Sequence, residues 1–374
     1  MRLIIKNHDV YKVTRFVKIY GVFRTLSKII GRLRPRFKFW LILKFPFYSF
    51  KGKTVGIVGS GHHAFSSIAY YLSTSTNCKI VFAMDTDKKA SLSLAYAYNA
   101  VDMGDSYNIE KINNINPDIV YISSNHASHS KYAIDFLNLG CDVFIEKPIV
   151  INNEQLKALS DVIKNTNQNI YVGYNRPHSP SIKIIKDRFI DNGSPFTLSC
   201  FISGHLIPED HWYRNPSEGT RIVSNLGHWL DLSVHILLWS SKFVEYIDIT
   251  VSYSNISTPS DNIAVSMVSS NNDLINITFT SRGEPFEGVS EMINFNKDDL
   301  IVQIDDHRGT KVWDDLFYKK YNHRPKNNGH KLTVLQPFGS VKNREWEEIE
   351  LSSKLMLHIE KMVTLQETNS RFIL

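Results

Sequence analysis

Residues 54–64 read Thr-Val-Gly-Ile-Val-Gly-Ser-Gly-His-His-Ala, and the fold follows from them. A short apolar run ends in Gly59, and a helical stretch follows at 62–73. Gly59-Ser60-Gly61-His62-His63-Ala64 has the form G-x-G-x-x-A. In such a turn the first glycine permits the tight bend and the second lets the backbone approach a pyrophosphate. The small third residue lets the helix pack close to the strand, and the helix N-terminus faces the phosphate charge. The next apolar run, KIVFAMD (79–85), ends in Asp85, 26 residues after Gly59. An acid there accepts hydrogen bonds from ribose hydroxyls and repels a 2′-phosphate, so NAD is the expected cofactor and NADP the less favoured one.

Working outward, DIVYIS (118–123), CDVFIE (141–146) and NIYVGYN (169–175) are further buried-strand candidates. Helical stretches at 87–98, 128–139 and 154–165 separate the runs. Strands alternating with helices predict a parallel, doubly wound sheet. After Pro195 the rhythm changes: a long helix at about 219–239 precedes alternating strands at 243–254, 262–269, 273–280, 289–295 and 299–304. That pattern predicts an open, largely antiparallel sheet with one face under helix, and a final helix near 351–366. The expected architecture is therefore α/β throughout, with an N-terminal Rossmann domain at 54–175 and an α/β domain for substrate and oligomerisation at 176–374. Its exposed sheet face makes a homo-oligomer the expected state.

Ahead of these lies a head of different character. Residues 1–53 hold 14 Lys or Arg against one acid, Asp9, a net of +13, whereas the remaining residues carry −7. Within 10–34 the apolar groups Val13, Phe16, Val17, Tyr20, Phe23, Ile30 and Leu33 recur at helical spacing, which predicts one amphipathic helix interrupted by Pro35 and Pro46. Two readings stay open: a basic helix packed on the protein's own acidic body, or an interfacial helix on an anionic membrane. In either case the first strand begins only at Thr54, so removing residues 1–46 is expected to leave the dinucleotide site intact. The longest apolar run of the head, Phe39–Leu43, is far shorter than the roughly 20 residues of a membrane span. No recognition motif for nucleic acid accompanies the charge. The three cysteines show neither disulfide-framework nor C-x-x-C spacing, which fits a cytoplasmic protein, with peripheral placement on the inner membrane face if the interfacial reading holds.

Chemistry gathers where predicted strands end. Ser123 and Asn125 follow one strand, and Glu146-Lys147-Pro148 another, at carboxyl ends where open α/β sheets bind ligands. Pro148 holds Lys147 in an extended conformation, and a lysine in such a crevice suits proton exchange with a hydroxyl. GIVGSG (56–61), Asp85, EKP (146–148), GYNRPHSP (173–180) and GTRIVSNLGHWLDL (219–232) together resemble the glucose–fructose oxidoreductase, inositol dehydrogenase and rhizopine-catabolism (Gfo/Idh/MocA) family. The resemblance implies a Rossmann domain with an open-sheet partner domain, bound NAD or NADP, and a sugar, inositol or nucleotide-sugar substrate. It places cofactor and substrate contact on Lys147 and the second catalytic position on His228, with Asp231 one helical turn later. Gly59, Gly61, His62, His63, Asp85, Ser123, Asn125, Glu146 and Lys147 are the candidates to hold cofactor. Asn175, Arg176, Asp210, His211, Trp212, Arg221 and Asp231 are the candidates to face substrate: Arg221 as an anion clamp, Trp212 as a stacking platform.

One departure from the family pattern is Ser224, four residues before the histidine, where many members carry aspartate. A neutral group there cannot raise the basicity of His228. His126–His129 and His62–His63 lack a completing ligand, so no metal is expected. No G-x-S-x-G elbow supports serine-hydrolase chemistry. The expected activity is NAD-dependent hydride transfer at a secondary alcohol or ketone of a sugar or nucleotide sugar, in surface-polysaccharide assembly. The alternatives are an inositol or polyol dehydrogenase and a catalytically silent, cofactor-binding regulatory protein.

Overall fold

The computed structural model describes residues 7–34, 52–283 and 288–374. The expectations that rest on Pro35, Phe39–Leu43 and Pro46 lie outside the described residues. The chain forms two compact units: Val22–Gly173 with His330–Arg344, and Met1–Gly21 with Tyr174–Gly329 and Glu345–Leu374. Residues 7–21 fall in one unit and residues 22–34 in the other, with the parallel sheet.

Two helices, α1 (Asn7–Tyr20) and α2 (Val22–Leu33), stand where one was expected. Gly21, at φ +82°, takes the left-handed conformation that ends α1, a backbone state that costs glycine little. Strand β1 (Thr54–Val58) then leads through the glycine turn into a π-helical turn, Ala64–Ala69, continued by α3 (Tyr70–Ser75). An alternation follows of β2 (Lys79–Met84), α4 (Lys88–Tyr98), β3 (Val101–Asp102), α5 (Ile109–Ile115), β4 (Ile119–Ile122), α6 (His129–Asn138), β5 (Asp142–Ile145), α7 (Asn153–Lys164) and β6 (Ile170–Val172), all expected from the sequence except β3 and α5. Caps set the helix starts: Asp87 accepts from Lys89 N and Asn152 from Gln155 N, each occupying an otherwise unpaired first-turn amide. The six strands are parallel in the order β3-β2-β1-β4-β5-β6. That order reverses between β1 and β4, which opens a ligand crevice at their carboxyl ends. Its core includes Ile57, Phe65, Ile68 and Leu94, and Tyr121 stacks on Phe144 at 4.7 Å. Each such side chain contributes about 1.5–3 kcal/mol on burial.

The second unit carries α8 (Pro180–Lys186), β7 (Thr197–Ser203), α9 (Gly227–Leu237), β8 (Tyr246–Tyr253), β9 (Asn262–Ser269), β10 (Leu274–Thr280), β11 (Ser290–Lys297), β12 (Leu300–Asp305), β13 (Gly309–Asp314) and β14 (Phe317–Asn322). After α10 (His330–Val334), which belongs to the first unit, α11 (Trp346–Thr364) and β15 (Asn369–Ile373) complete it. Nine strands run in the order β14-β13-β12-β11-β7-β10-β9-β8-β15. All pairs are antiparallel except β7 with β10. The sequence reading had no strand at 197–203, yet β7 is central, and β13, β14 and β15 were also missed. Burial alternates along β8 to β12, save at the end of β8, and the inner side chains Ile247, Val265, Ile277, Ile293 and Val302 are buried.

Candidate active site

At the end of β1 Gly59 has φ +83°, and a Cβ there would lie 2.4 Å from the Ser123 carbonyl carbon and oxygen. Gly61 is different: a Cβ would meet nothing within 4 Å. The space over Gly61 is therefore open, as a backbone needs to be if a pyrophosphate is to approach it. Asp85 Oδ2 accepts from Ser60 N at 2.6 Å and Oδ1 from Asp87 N at 2.8 Å. The acid is thereby aimed across the turn, Oδ1 also accepting from the Thr86 hydroxyl at 3.5 Å. Ser123 donates its hydroxyl to Gly59 O at 2.9 Å, while Asn125 is exposed. These residues fit an adenine dinucleotide in its NAD form.

His63 Nε2 lies 2.9 Å from Glu146 Oε1. Burial raises the Glu146 pKa, but the charges of His63 and Lys147 outweigh it, and the carboxyl stays below its usual range. Lys147 follows directly, half-buried, and its peptide bond to Pro148 is cis. His129, considered in the sequence only as a metal ligand, sets its Nδ1 2.7 Å from Pro148 O and its Nε2 3.1 Å from Ser124 O. It so joins the loops after β4 and β5. Burial pushes its pKa down. His62 is pushed down to about 4, first by burial and then by Arg32, His63, Lys28 and Arg24.

In the second unit α9 is preceded by a π-helical turn, Ile222–Leu226, a feature often found at functional sites. His228 lies at the start of α9, 9% exposed, with the Tyr174 ring edge-on at 6.2 Å. Its neighbour Trp229 is locked: Nε1 donates to Glu291 Oε2 at 2.8 Å, and the Arg176 guanidinium lies 4.6 Å over its ring. Burial raises the Glu291 pKa, but Arg176, His307 and Lys326 hold it well below the carboxylate range. Arg176 and Asn175, expected to face substrate, are instead buried in this network: Arg176 pairs with Glu291 at 3.1 Å and with Asn175 Oδ1 at 2.9 Å. They hold Trp229, the neighbour of His228 on α9, in place.

Arg221 is similarly committed. Burial lowers its pKa, and its guanidinium bonds Asp261 at 2.6 Å, His205 O at 2.8 Å, Ser281 Oγ at 3.0 Å and Asn225 Oδ1 at 3.2 Å. The expected anion clamp is a loop brace, since its donors are already engaged. Asp231 is fully buried, and Ser224 donates its hydroxyl to Thr220 O at 2.9 Å. Trp212 remains 47% exposed beside the His211 ring, at 5.9 Å, as a stacking platform requires. Lys147 lies in one unit and His228 in the other.

Sequence reading missed Arg34. This fully buried guanidinium reaches Ser60 O and Gly61 O of the glycine turn and Ala90 O and Ser93 Oγ of α4. No local motif announces it, because its partners lie 26 to 59 residues away. Among the described residues no helix is long and apolar enough to cross a membrane, and no group of three His, Cys, Asp or Glu side chains could hold a metal.

Residues 53–174 match the Gfo/Idh/MocA model, described as an oxidoreductase family with an NAD-binding Rossmann fold. Glucose-6-phosphate 3-dehydrogenase of Bacillus subtilis is 23% identical over 202 residues, 51% of this chain and 55% of that protein. The chain spans between about a quarter and about half of the curated relatives it matches. A Gfo/Idh/MocA oxidoreductase from Vibrio cholerae superposes with a TM-score of 0.67 at 19% identity, covering 84% of this chain and 99% of the other. GenD2 from gentamicin A biosynthesis, solved in complex with NAD, gives 0.70 at 13% identity over 88% and 99%.

Proposed function

From the premise that the chain belongs, through residues 53–174, to the Gfo/Idh/MocA oxidoreductase family, we propose that it is an NAD-dependent oxidoreductase of a sugar or nucleotide sugar. The observation that carries this reading is the glycine turn, open over Gly61 and crossed by the Asp85 carboxylate. The amides of Gly61 and His62 would face the pyrophosphate, and Asp85 the adenosine ribose. When bound, the nicotinamide takes or gives the hydride. Lys147 would hold the substrate hydroxyl and accept its proton as the carbonyl forms. His228, on α9 of the second unit, is the other candidate to carry that one proton. Trp212 would stack on a sugar face. A nucleotide sugar used in surface-polysaccharide assembly is the preferred substrate class.

Calorimetry should show NAD binding more tightly than NADP, with the preference narrowed by Asp85→Ala. In a panel of nucleotide sugars and free polyols, Lys147→Ala and His228→Ala should each lower kcat by roughly 10²–10⁴. Failure to bind either nicotinamide would overturn the reading. Turnover of polyols alone would replace the substrate class.

Two surface features support further partners. On α2 the buried face is polar (Arg24, Thr25, Ser27, Gly31), while Val22, Phe23 and Leu26 are 53%, 78% and 48% exposed. On α1 Val10, Tyr11 and Val13 are exposed beside Lys18. An outward apolar stripe with cationic neighbours suits the headgroup region of an anionic bilayer, which favours peripheral placement at the cytoplasmic membrane face. On the nine-stranded sheet, the cross-strand neighbours Phe201 and Met292 are exposed, as are Val268 and Leu274. Such a face suits a second copy of the chain.

A further inference from the structure

We infer that Arg34, supplied by the N-terminal extension, is a cofactor-positioning residue: it holds the dinucleotide turn in its binding geometry and places a positive charge behind it. The inference rests on the NAD reading above. Arg34 lies just beyond α2, outside the segment 53–174 that carries the family match. Although charged, it is 1% exposed. Burial lowers its pKa to about 10, with Tyr98, Asp85 and Asp87 acting in the opposite direction, so it stays cationic at neutral pH.

Its bonds join the two arms of the proposed site. Nη2 donates to Ser60 O and, at 3.1 Å, to Gly61 O. Nη1 donates to Ser93 Oγ and, at 2.8 Å, to Ala90 O, both on the helix that follows Asp85. Ser60 N meanwhile donates to Asp85, and Ser60 Oγ to Met84 O at 3.1 Å. Ser60 is thus held from both sides, with its amide on Asp85 and its carbonyl on Arg34. Phe65, on the helix leaving the turn, lies 4.5 Å beneath the guanidinium and fixes its plane.

The chemistry follows from which carbonyls are bonded. The Ser60 carbonyl shares a peptide unit with the Gly61 amide, and the Gly61 carbonyl shares one with the His62 amide. A cation donating to a carbonyl polarises that peptide and strengthens the amide on its other side. Those two amides open the helix and are the ones proposed to face the pyrophosphate, where positive potential already gathers. Lysine cannot reproduce this arrangement, because its three donors radiate from one atom, whereas the planar fork reaches acceptors on two separate segments.

The test uses full-length protein and titrates NADH, ADP-ribose and adenosine against wild type, Arg34→Lys, Ser93→Ala and Arg24→Met, with melting curves for each. Arg24 is the control: it sits on α2, which ends just before Arg34, and bonds Ser67 Oγ at 2.7 Å, with its guanidinium over Tyr71. Loss of a buried charge-assisted fork should weaken NADH and ADP-ribose by about 10- to 100-fold in Arg34→Lys. Adenosine, which lacks a pyrophosphate, should change little. Ser93→Ala should show a smaller loss of the same pattern, and it carries the test if Arg34→Lys does not fold. Arg24→Met should melt lower yet bind NADH within about twofold of wild type. Unchanged NADH affinity in folded Arg34→Lys or, should that variant not fold, in Ser93→Ala overturns the inference, as does an equal loss for adenosine or for Arg24→Met. If wild type itself binds no NADH, the NAD reading falls and takes the inference with it.

Discussion

Gly59 and Gly61 are both glycines of one turn, yet they are glycine for different reasons. At Gly59 the obstacle is the protein itself, since the Ser123 backbone occupies the position of a side chain. At Gly61 the protein leaves room and only an approaching pyrophosphate would not. Gly61→Ala should therefore melt within about 1 °C of wild type, an exposed change away from any packed contact costing at most a few tenths of a kcal/mol. Its NADH affinity should fall tenfold or more; a variant that binds as wild type does would place the cofactor elsewhere. His62 makes a second residue-scale prediction. Its folded pKa of about 4 lies below the unfolded 6.5, so folding disfavours its protonation. The stability it contributes is fully present above about pH 6.5 and is lost as the pH falls toward 4. The melting temperature of wild type should drop by a few degrees more across that window than that of His62→Gln. Parallel curves for the two proteins would remove His62 as the cause.

In its first half helix α2 turns polar residues inward and Val22, Phe23 and Leu26 outward, while Ile30 packs against the core, and periodicity alone cannot tell this from the usual arrangement. Its inward face lies along the helix that leaves the glycine turn, through Arg24 with Ser67 and Gly31 against His62, Phe65 and Ser66. Removal of residues 1–46, which the sequence suggested would spare the dinucleotide site, strips away this packing and Arg34. The outward face is better probed by substitution. Full-length protein should sediment with vesicles containing anionic lipid and not with zwitterionic ones, and less so at high salt. Phe23→Asp with Leu26→Asp should abolish sedimentation while NADH binding survives. Equal sedimentation of that variant, or none for wild type, would rule out the lipid surface. At the π-helical turn before α9, Ser224 returns its hydroxyl to Thr220. Nothing in the sequence of that segment foretells the extra residue per turn, because helix propensity does not separate α from π winding.

At the scale of the whole molecule, the exposed cross-strand pair Phe201 and Met292 marks where a second copy should bind. Wild type should sediment as an oligomer and Phe201→Asp with Met292→Asp as a smaller species; a monomeric wild type would refute that use of the sheet. The parallel unit was legible in advance because all its strands but Val101–Asp102 are short, mostly apolar runs closed by turn residues, and Ile119–Ile122 is buried at every position. The nine-stranded sheet was legible only in part. Thr197–Ser203 carries three polar residues in seven and pairs with strands some 70 to 100 residues away, Leu274–Thr280 and Ser290–Lys297. Its neighbours, rather than its own composition, make it a strand. In the candidate site the sequence by itself singled out Gly59, Gly61, Asp85 and Lys147, which turn sterics and strand ends place through local chain geometry, while His228, on a helix, came only from the family resemblance. Only the tertiary structure decided that Arg176 and Arg221 are braces and that Arg34 reaches the turn. A guanidinium's role depends on which acceptors surround it, and here those acceptors come from segments brought together by folding.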